Sequence, residues 1–278
     1  MMLVGAAQSQ NETFAANRAA GRIALAVAAE GGRTKRTRVH EAGSLRIRFP
    51  NASTEALEAV IVNTGGGMTG GDRFAIEIAV GEGARLVVTS TAAEKVYRST
   101  GPDAEMSVKL DVAARARLAW LPQETILFDR ARLARRIDID LAEGASLVMA
   151  EAVVLGRAAM EEVVKDGHFI DRWRLKRGGR LIYADSARLD GAIADKLGRA
   201  AIANGGIAIA TVLIAPGGEA ELTAVRALEQ QFVGEVGCSA WNGIAVARLC
   251  AKDGAQLRHD LIALLGALGT AVPRSWLQ

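Results

Sequence analysis

Seven of the 24 residues in VIVNTGGGMTGGDRFAIEIAVGEG, which begins at Val60, are glycine. Gly65, Gly67 and Gly70 fit the spacing GxGxxG. Placed between a strand and a helix, that spacing brings backbone close to a pyrophosphate held at the helix N-terminus. The strand is present in ALEAVIVNT, but the segment after the glycines does not have the pattern of a helix. Phe74, Ile76, Ile78 and Val80 recur at every second position, the period of a strand. No GK[ST] completes a P-loop. Gly65, Gly66, Gly67, Gly70 and Gly71 are therefore expected to form a tight structural loop, rich in positive φ, where backbone must approach backbone. Asp72, at its end, either caps the turn or faces a partner.

Carboxylates offer a second chemistry. Four segments begin alike: GARLVVTST from Gly83, RARLAWLPQ from Arg115, GASLVMAEA from Gly144 and GGRLIYADS from Gly178. If they stack in register, Ser90, Pro122, Glu151 and Asp185 fall in one column, with Thr91, Gln123, Ala152 and Ser186 in the next. One reading puts these residues at strand ends in water. The other makes them a lined passage of oxygen ligands, too few to trap a metal but enough to let one move. His40, His168 and His259 lie far apart and form no HxH or HExxH spacing. There is no GxSxG. Cys238, in GEVGCSAWNG, has no evident base partner and reads as an ordinary buried thiol; for Cys250 the sequence suggests no role.

The elements that position these residues are mostly strands. The four repeats carry continuous apolar runs, as strands covered on both faces do, and a stacked repeat points to a solenoid or sandwich. Between them EMSVKLDVA, RRIDIDLAEG and HFIDRWRLKRGG alternate cleanly. Strands and turns are thus expected from about residue 20 to residue 187. Helical spacing is confined to residues 217–232, through Leu222, Val225, Leu228 and Phe232, and to 253–269, through Leu257, Leu261, Leu264 and Leu265. The expected fold is mainly β, an elongated, β-helix-like or sandwich stack with about two α-helices towards the C-terminus. Residues 1–18 are expected to be a disordered tail and 19–278 a single domain.

The chain's 278 residues are 50% hydrophobic but only 4% aromatic, and its formal charge is +3. The run Arg33–Arg38 reads as a solvated loop; no aromatics interleave to stack bases, so no nucleic-acid partner is expected. The longest apolar segment, IAIATVLIAP from Ile207, is too short to span a bilayer. No leader is expected, and the location inferred is cytoplasmic.

NTGGGMTGGDRF, then TSTAAEKVYRS, then LAWLPQETILFDRARLARR, ending in VPRSW, resemble the urease accessory protein UreD (UreH) family. The likeness runs from roughly Gly21 to the C-terminus. Two positions depart from it: Thr91 stands where the family usually has glutamine, and Gly65 where it has alanine. The resemblance implies a non-catalytic chaperone that binds apo-urease and recruits UreF, which docks the nickel-carrying GTPase UreG, in a dimer of UreD–UreF–UreG units. It also implies an internal path for nickel, with no tightly bound cofactor. The candidate transit carboxylates are then Glu151 and Asp185, followed by Asp72 and Glu94. Such residues would hold nickel more weakly than imidazole or thiolate and so release it. Two alternatives stay open at this level: a nucleotide-binding enzyme using the 65–71 loop, and a purely structural adaptor with no metal path.

Overall fold

The computed structural model describes residues 18–50 and 56–277. The tail expected over residues 1–18 lies outside them except for Arg18. The chain opens with β1 (Ala20–Glu30), β2 (Arg33–Gly43), β3 (Leu45–Arg48) and β4 (Leu57–Asn63). It continues through β5 (Arg73–Val80), β6 (Arg85–Ser90), the short β7 (Glu94–Val96), β8 (Ala104–Val112) and β9 (Arg117–Leu121). Then come the short β10 (Thr125–Leu127), β11 (Arg132–Leu141), β12 (Ser146–Leu155), β13 (His168–Arg177) and β14 (Arg180–Asp190). The C-terminal part holds α1 (Ile193–Leu197), β15 (Ala208–Ala215), α2 (Glu219–Arg226), β16 (Glu235–Trp241), β17 (Ile244–Ala251) and α3 (Gly254–Ala267).

From β4 to β13 the chain winds between two sheets. β5, β8, β11 and β13 lie parallel in one, while β4, β6, β9 and β12 lie parallel in the other. This is a β-solenoid, and its alternating sequence fills the space between the sheets. Ile23, Ile76, Val108, Ile137 and Trp173 share one register row across five strands, all buried. Leu86, Leu118 and Leu147 form a row on the facing sheet. Each such side chain contributes about 1.5–3 kcal/mol by leaving water.

The first three repeats stack as their sequences imply, since Arg85 pairs with Arg117 and Arg117 with Ser146. The fourth does not. Its anchor, Arg180, lies on β14 in the other sheet, antiparallel to β13. The cause is the turn. Gly83, Arg115 and Gly144 each supply one left-handed residue at a crossing between sheets. Gly178 and Gly179 are both left-handed, at φ 55° and 78°, and make a two-residue hairpin that keeps the chain in its sheet. Gly31–Gly32 does the same between β1 and β2. The basic run Arg33–Arg38 is therefore not a loop but part of edge strand β2.

Antiparallel strands finish both ends of the solenoid. On the outer face of the second sheet, α2 and α3 cover β12, β15 and β17 through Val225, Leu257, Leu261, Leu264 and Leu265. Strand β12 is thus buried on both faces, as its apolar run implied. Asp253 caps α3 by accepting from the Gln256 N–H at 2.8 Å. There are three α-helices among the described residues, two of them sizable. The helix expected over 217–232 is regular only over Glu219–Arg226. Strands β15–β17 extend the β structure beyond residue 187.

Candidate functional site

A charged centre sits where the apolar packing between the sheets would otherwise continue. On the inward row after Phe74 and Met106, β11 and β13 place Arg135 and Asp171. Facing them from β12 is Glu151. Arg135 donates through Nε to Asp171 Oδ1 at 3.0 Å and through Nη2 to Oδ2 at 2.6 Å, and its Nη1 donates to Glu151 Oε2. Trp120 Nε1 donates to Glu151 Oε1 at 2.7 Å. Exposures of 3% for Arg135, 5% for Glu151 and 7% for Asp171 leave water little part in solvating these charges. Burial raises the Glu151 carboxyl above its usual range; Arg135 opposes the shift, while Asp171 adds to it. One guanidinium therefore holds two carboxylates, and Glu151 is already occupied.

Neither Arg135 nor Asp171 was expected from the sequence. Their signal lies in the alternation: in LARRIDIDL and HFIDRWRL each stands at a position whose phase belongs to the core.

The glycine loop forms a second centre. It leads from strand β4 to strand β5, so no helix N-terminus is present to hold a pyrophosphate. Gly66, Gly67 and Gly71 have φ of 75°, 148° and 89°. Gly70 is required for another reason: a Cβ there would lie 1.9 Å from Ser99 Oγ and 2.2 Å from the Pro102 carbonyl oxygen. Its φ is not in the left-handed region, so the positive φ expected of the loop is supplied by Gly66, Gly67 and Gly71. Gly65 needs neither device: a Cβ there would lie 3.1 Å from Asn63 Oδ1 and otherwise make only ordinary contacts with Ser44 and Gly67.

Asp72 caps this loop. Its Oδ1 accepts from Ala19 N–H and its Oδ2 from Thr69 N–H, each at 2.8 Å. Asn63 ties the loop to β7, donating through Nδ2 to the Gly67 carbonyl at 3.1 Å and to Glu94 Oε1 at 2.9 Å. Glu94 is half-buried, and its second oxygen accepts no hydrogen bond from the described residues. Burial pushes its pKa up to about 7; the Asn63 bond pulls it down, and the nearby charge of Asp72 raises it further. Glu94 is thus a poised and largely uncommitted carboxylate.

Asp185 lies apart from both centres. Tyr183 Oη and Arg248 Nη2 donate to its Oδ2 at 2.9 and 2.7 Å. Partial burial raises its pKa, but these two bonds outweigh that and hold it below the usual range. The column of Ser90, Pro122, Glu151 and Asp185 therefore does not form, because β14 is in the other sheet. The fold brings Asp72 and Glu94 into one electrostatic neighbourhood and leaves Glu151 and Asp185 in two others. Among the described residues no group of three or more His, Cys, Asp or Glu side chains could hold a metal ion. His168 Nδ1 lies 3.0 Å from Asp103 Oδ1. Cys238 is on β16 and Cys250 on β17; both are half-buried free thiols whose pKa burial raises.

The LPQE and PRSW segments meet each other. Gln123 Nε2 donates to the Ser275 carbonyl at 2.6 Å, Trp276 Nε1 to the Leu121 carbonyl at 3.1 Å, and Arg258 Nη2 to Glu124 Oε2 at 2.7 Å. The C-terminal motif is thus a clasp across β9 and α3. Among the described residues no helix is long and apolar enough to cross a membrane.

A sequence profile described as UreD urease accessory protein matches residues 19–276. The urease accessory protein UreD of Rhodopseudomonas palustris strain BisA53 is 58% identical over 269 residues, covering 97% of this chain and 94% of that protein. UreD of R. palustris strain CGA009 is 54% identical over 278 residues, the full length of both. UreD of Bradyrhizobium diazoefficiens is 56% identical over 264 residues, covering 95% of this chain and 96% of that protein.

Proposed function

We propose a maturation role from one premise: the chain belongs to the UreD family of urease accessory proteins. Members are accessory factors rather than enzymes. In this reading the chain binds apo-urease in the cytoplasm and recruits UreF, which brings the GTPase UreG, in a dimer of UreD–UreF–UreG units. Nickel is cargo passed to urease, not a resident cofactor. The observation that carries the reading is the end-to-end match to UreD proteins of the same length.

For nickel transit the geometry favours Glu94 over the other three carboxylates. Asp72 is committed to backbone N–H groups, Glu151 to Arg135 and Trp120, and Asp185 to Arg248 and Tyr183. Glu94 keeps one oxygen uncommitted and exchanges its proton near neutrality. A dication arriving there displaces that proton, and a single oxygen site lets it leave again. The second reading is an adaptor without a metal path. Arg135 favours it, since the deepest carboxylates already have their cation.

The test is co-expression with apo-urease, UreF and UreG, with affinity isolation and measurement of urease activity. The maturation reading expects one complex containing all partners, and activity that depends on this chain. Full activation without the chain, or its absence from every complex, would refute it.

A further inference from the structure

The two sheets end in four strands, β2, β14, β3 and β16, and the first three are guarded. Strand β2 carries Arg33, Lys35, Arg36 and Arg38 and pairs with β1 across a register shift at Ala26–Val27. Strand β14 carries Arg180 and Arg188 and pairs with β13 across a register shift at Leu175–Lys176. Strand β3 is four residues long and holds Arg46 and Arg48. Cations, bulges and shortness keep a strand edge from pairing with another chain. Strand β16, EVGCSAW, has none of these devices. It runs seven residues in unbroken register with β17, without lysine, arginine or proline, and its one charge, Glu235, stands at its end.

The pairing groups on this free edge follow from the turn. Asn242 and Gly243, at φ 50° and 70°, make a two-residue hairpin flanked by the pair Trp241 and Ile244. The pair beside such a turn exchanges both its hydrogen bonds, so Glu235, Gly237, Ser239 and Trp241 bond to β17. Val236, Cys238 and Ala240 then aim their N–H and C=O groups away from it. The first sheet stops short of β16. Tyr183 of β14 reaches Trp241, with ring centroids 6.1 Å apart, but Gly237 and Ser239 are exposed and Trp241 keeps 41% of its surface in water. Gly237 points the same way. Its φ is not left-handed, and nothing lies within 4 Å of where its Cβ would be, so no neighbour among the described residues requires a glycine there. Inside a strand a glycine weakens the strand and marks the close approach of another backbone.

We propose that β16 pairs antiparallel with β16 of a second copy of this chain, about a two-fold axis at Cys238. In that register Val236 faces Ala240 of the second copy and Cys238 faces its own counterpart, so every outward-aimed N–H and C=O of the three residues is satisfied. Any other two-fold register leaves part of the edge unpaired. Between these pairs Gly237 faces Ser239, Glu235 faces Trp241, and the Trp241 ring of each copy lies diagonal to Gly237 of the other, where an aromatic covers a strand glycine. No like charges meet on the axis, whereas copies joined at β2 or β14 would set arginines against arginines. One strand pair buries less than the roughly 1,200–2,000 Å² of a standard interface, so the dimer is weak and forms with concentration. This goes beyond the maturation reading and does not depend on it.

The test follows the mass of the full chain by sedimentation equilibrium from about 1 to about 100 μM, the range in which a weak interface fills. The wild type should pass from monomer to dimer. Ser239→Lys and Ser239→Glu each place like charges beside the axis and should weaken dimerisation about ten-fold or more, while an equimolar mixture of the two should restore it. Ser239 is exposed, so both variants should keep the wild-type thermal midpoint. Ala240→Pro, which removes an N–H aimed away from β17, is a neutral second variant and should show the same loss. A wild type that stays monomeric to the top of the range overturns the proposal. So does a dimer untouched by the Ser239 variants, or a mixture of them that does not recover it.

Discussion

Arg135 and Glu151 join the two sheets of the solenoid across its interior, with side-chain exposures of 2% and 4%. Asp171 accepts the other edge of the same guanidinium. Burying this cluster costs desolvation that its Coulomb attraction does little more than offset, so its worth is asymmetric. Intact, it adds little to stability; broken, it leaves charges stranded.

Arg135→Met should therefore destabilise the chain by roughly 3–5 kcal/mol in urea unfolding, because two buried carboxylates lose their partner. Adding Glu151→Gln and Asp171→Leu should recover much of that loss. Glu151→Leu leaves Arg135 its two-pronged bond to Asp171 but removes the acceptor for Arg135 Nη1 and Trp120 Nε1. It should cost less than Arg135→Met while still perturbing the core, which makes Glu151→Gln the better probe of any role in transport. A triple variant no more stable than Arg135→Met would show that the cluster does not act as a unit.

Glu94 sets a pH dependence with a definite sign. Its pKa is about 7 when folded, against an ordinary value of 4.5. The folded state therefore binds the proton more tightly. This group's favourable contribution is complete below pH 4.5 and is lost as pH rises through 7. Glu94→Gln carries no charge and should remove that slope, gaining roughly 2–3 kcal/mol over wild type at pH 8 and nothing at pH 4. Parallel stability curves for the two proteins between pH 4 and 8 would contradict the assignment.

The loop glycines should separate by cause. Gly66→Ala meets only its left-handed φ, with nothing within 4 Å of the new Cβ, and should cost about 1 kcal/mol. Gly70→Ala meets the Pro102 carbonyl at 2.2 Å and should cost several-fold more, or give insoluble protein. Soluble yield and thermal midpoint decide the order. Equal effects would mean that φ, not close approach, governs the loop.

The C-terminal clasp should matter to the fold. Trp276 is 4% exposed and packs with the helical cluster. Trp276→Ala should cost roughly 3–5 kcal/mol, and hydrogen exchange should speed up first in α3 and β9. A loss confined to residues 270–277 would make the clasp a local feature.

Much of this architecture was legible in the residues. The period of two in RFAIEIAV and MSVKLDV placed strands, and repetition of the GARL-like segments gave the parallel register of β6, β9 and β12. The fourth copy misled because Gly178–Gly179 resembles the other turns in composition while differing in geometry, two left-handed residues instead of one. Arg135 and Asp171 were readable as charges on an apolar phase, but nothing local tells a core charge from a strand end. Which carboxylates are committed was not readable at all. That depends on partners far away in sequence, such as Asn63 for Glu94 and Arg248 for Asp185.

On the proposed maturation reading the chain would hand nickel on through its uncommitted carboxylate, Glu94, and the Arg135 cluster would be structural. The direct measurement is nickel per urease active site, by elemental analysis, in urease matured beside wild-type chain, Glu94→Gln or Glu151→Gln. With complexes of equal composition, nickel and activity should fall together for Glu94→Gln and stay near wild type for Glu151→Gln. Full nickel loading with Glu94→Gln in an intact complex would contradict the claim.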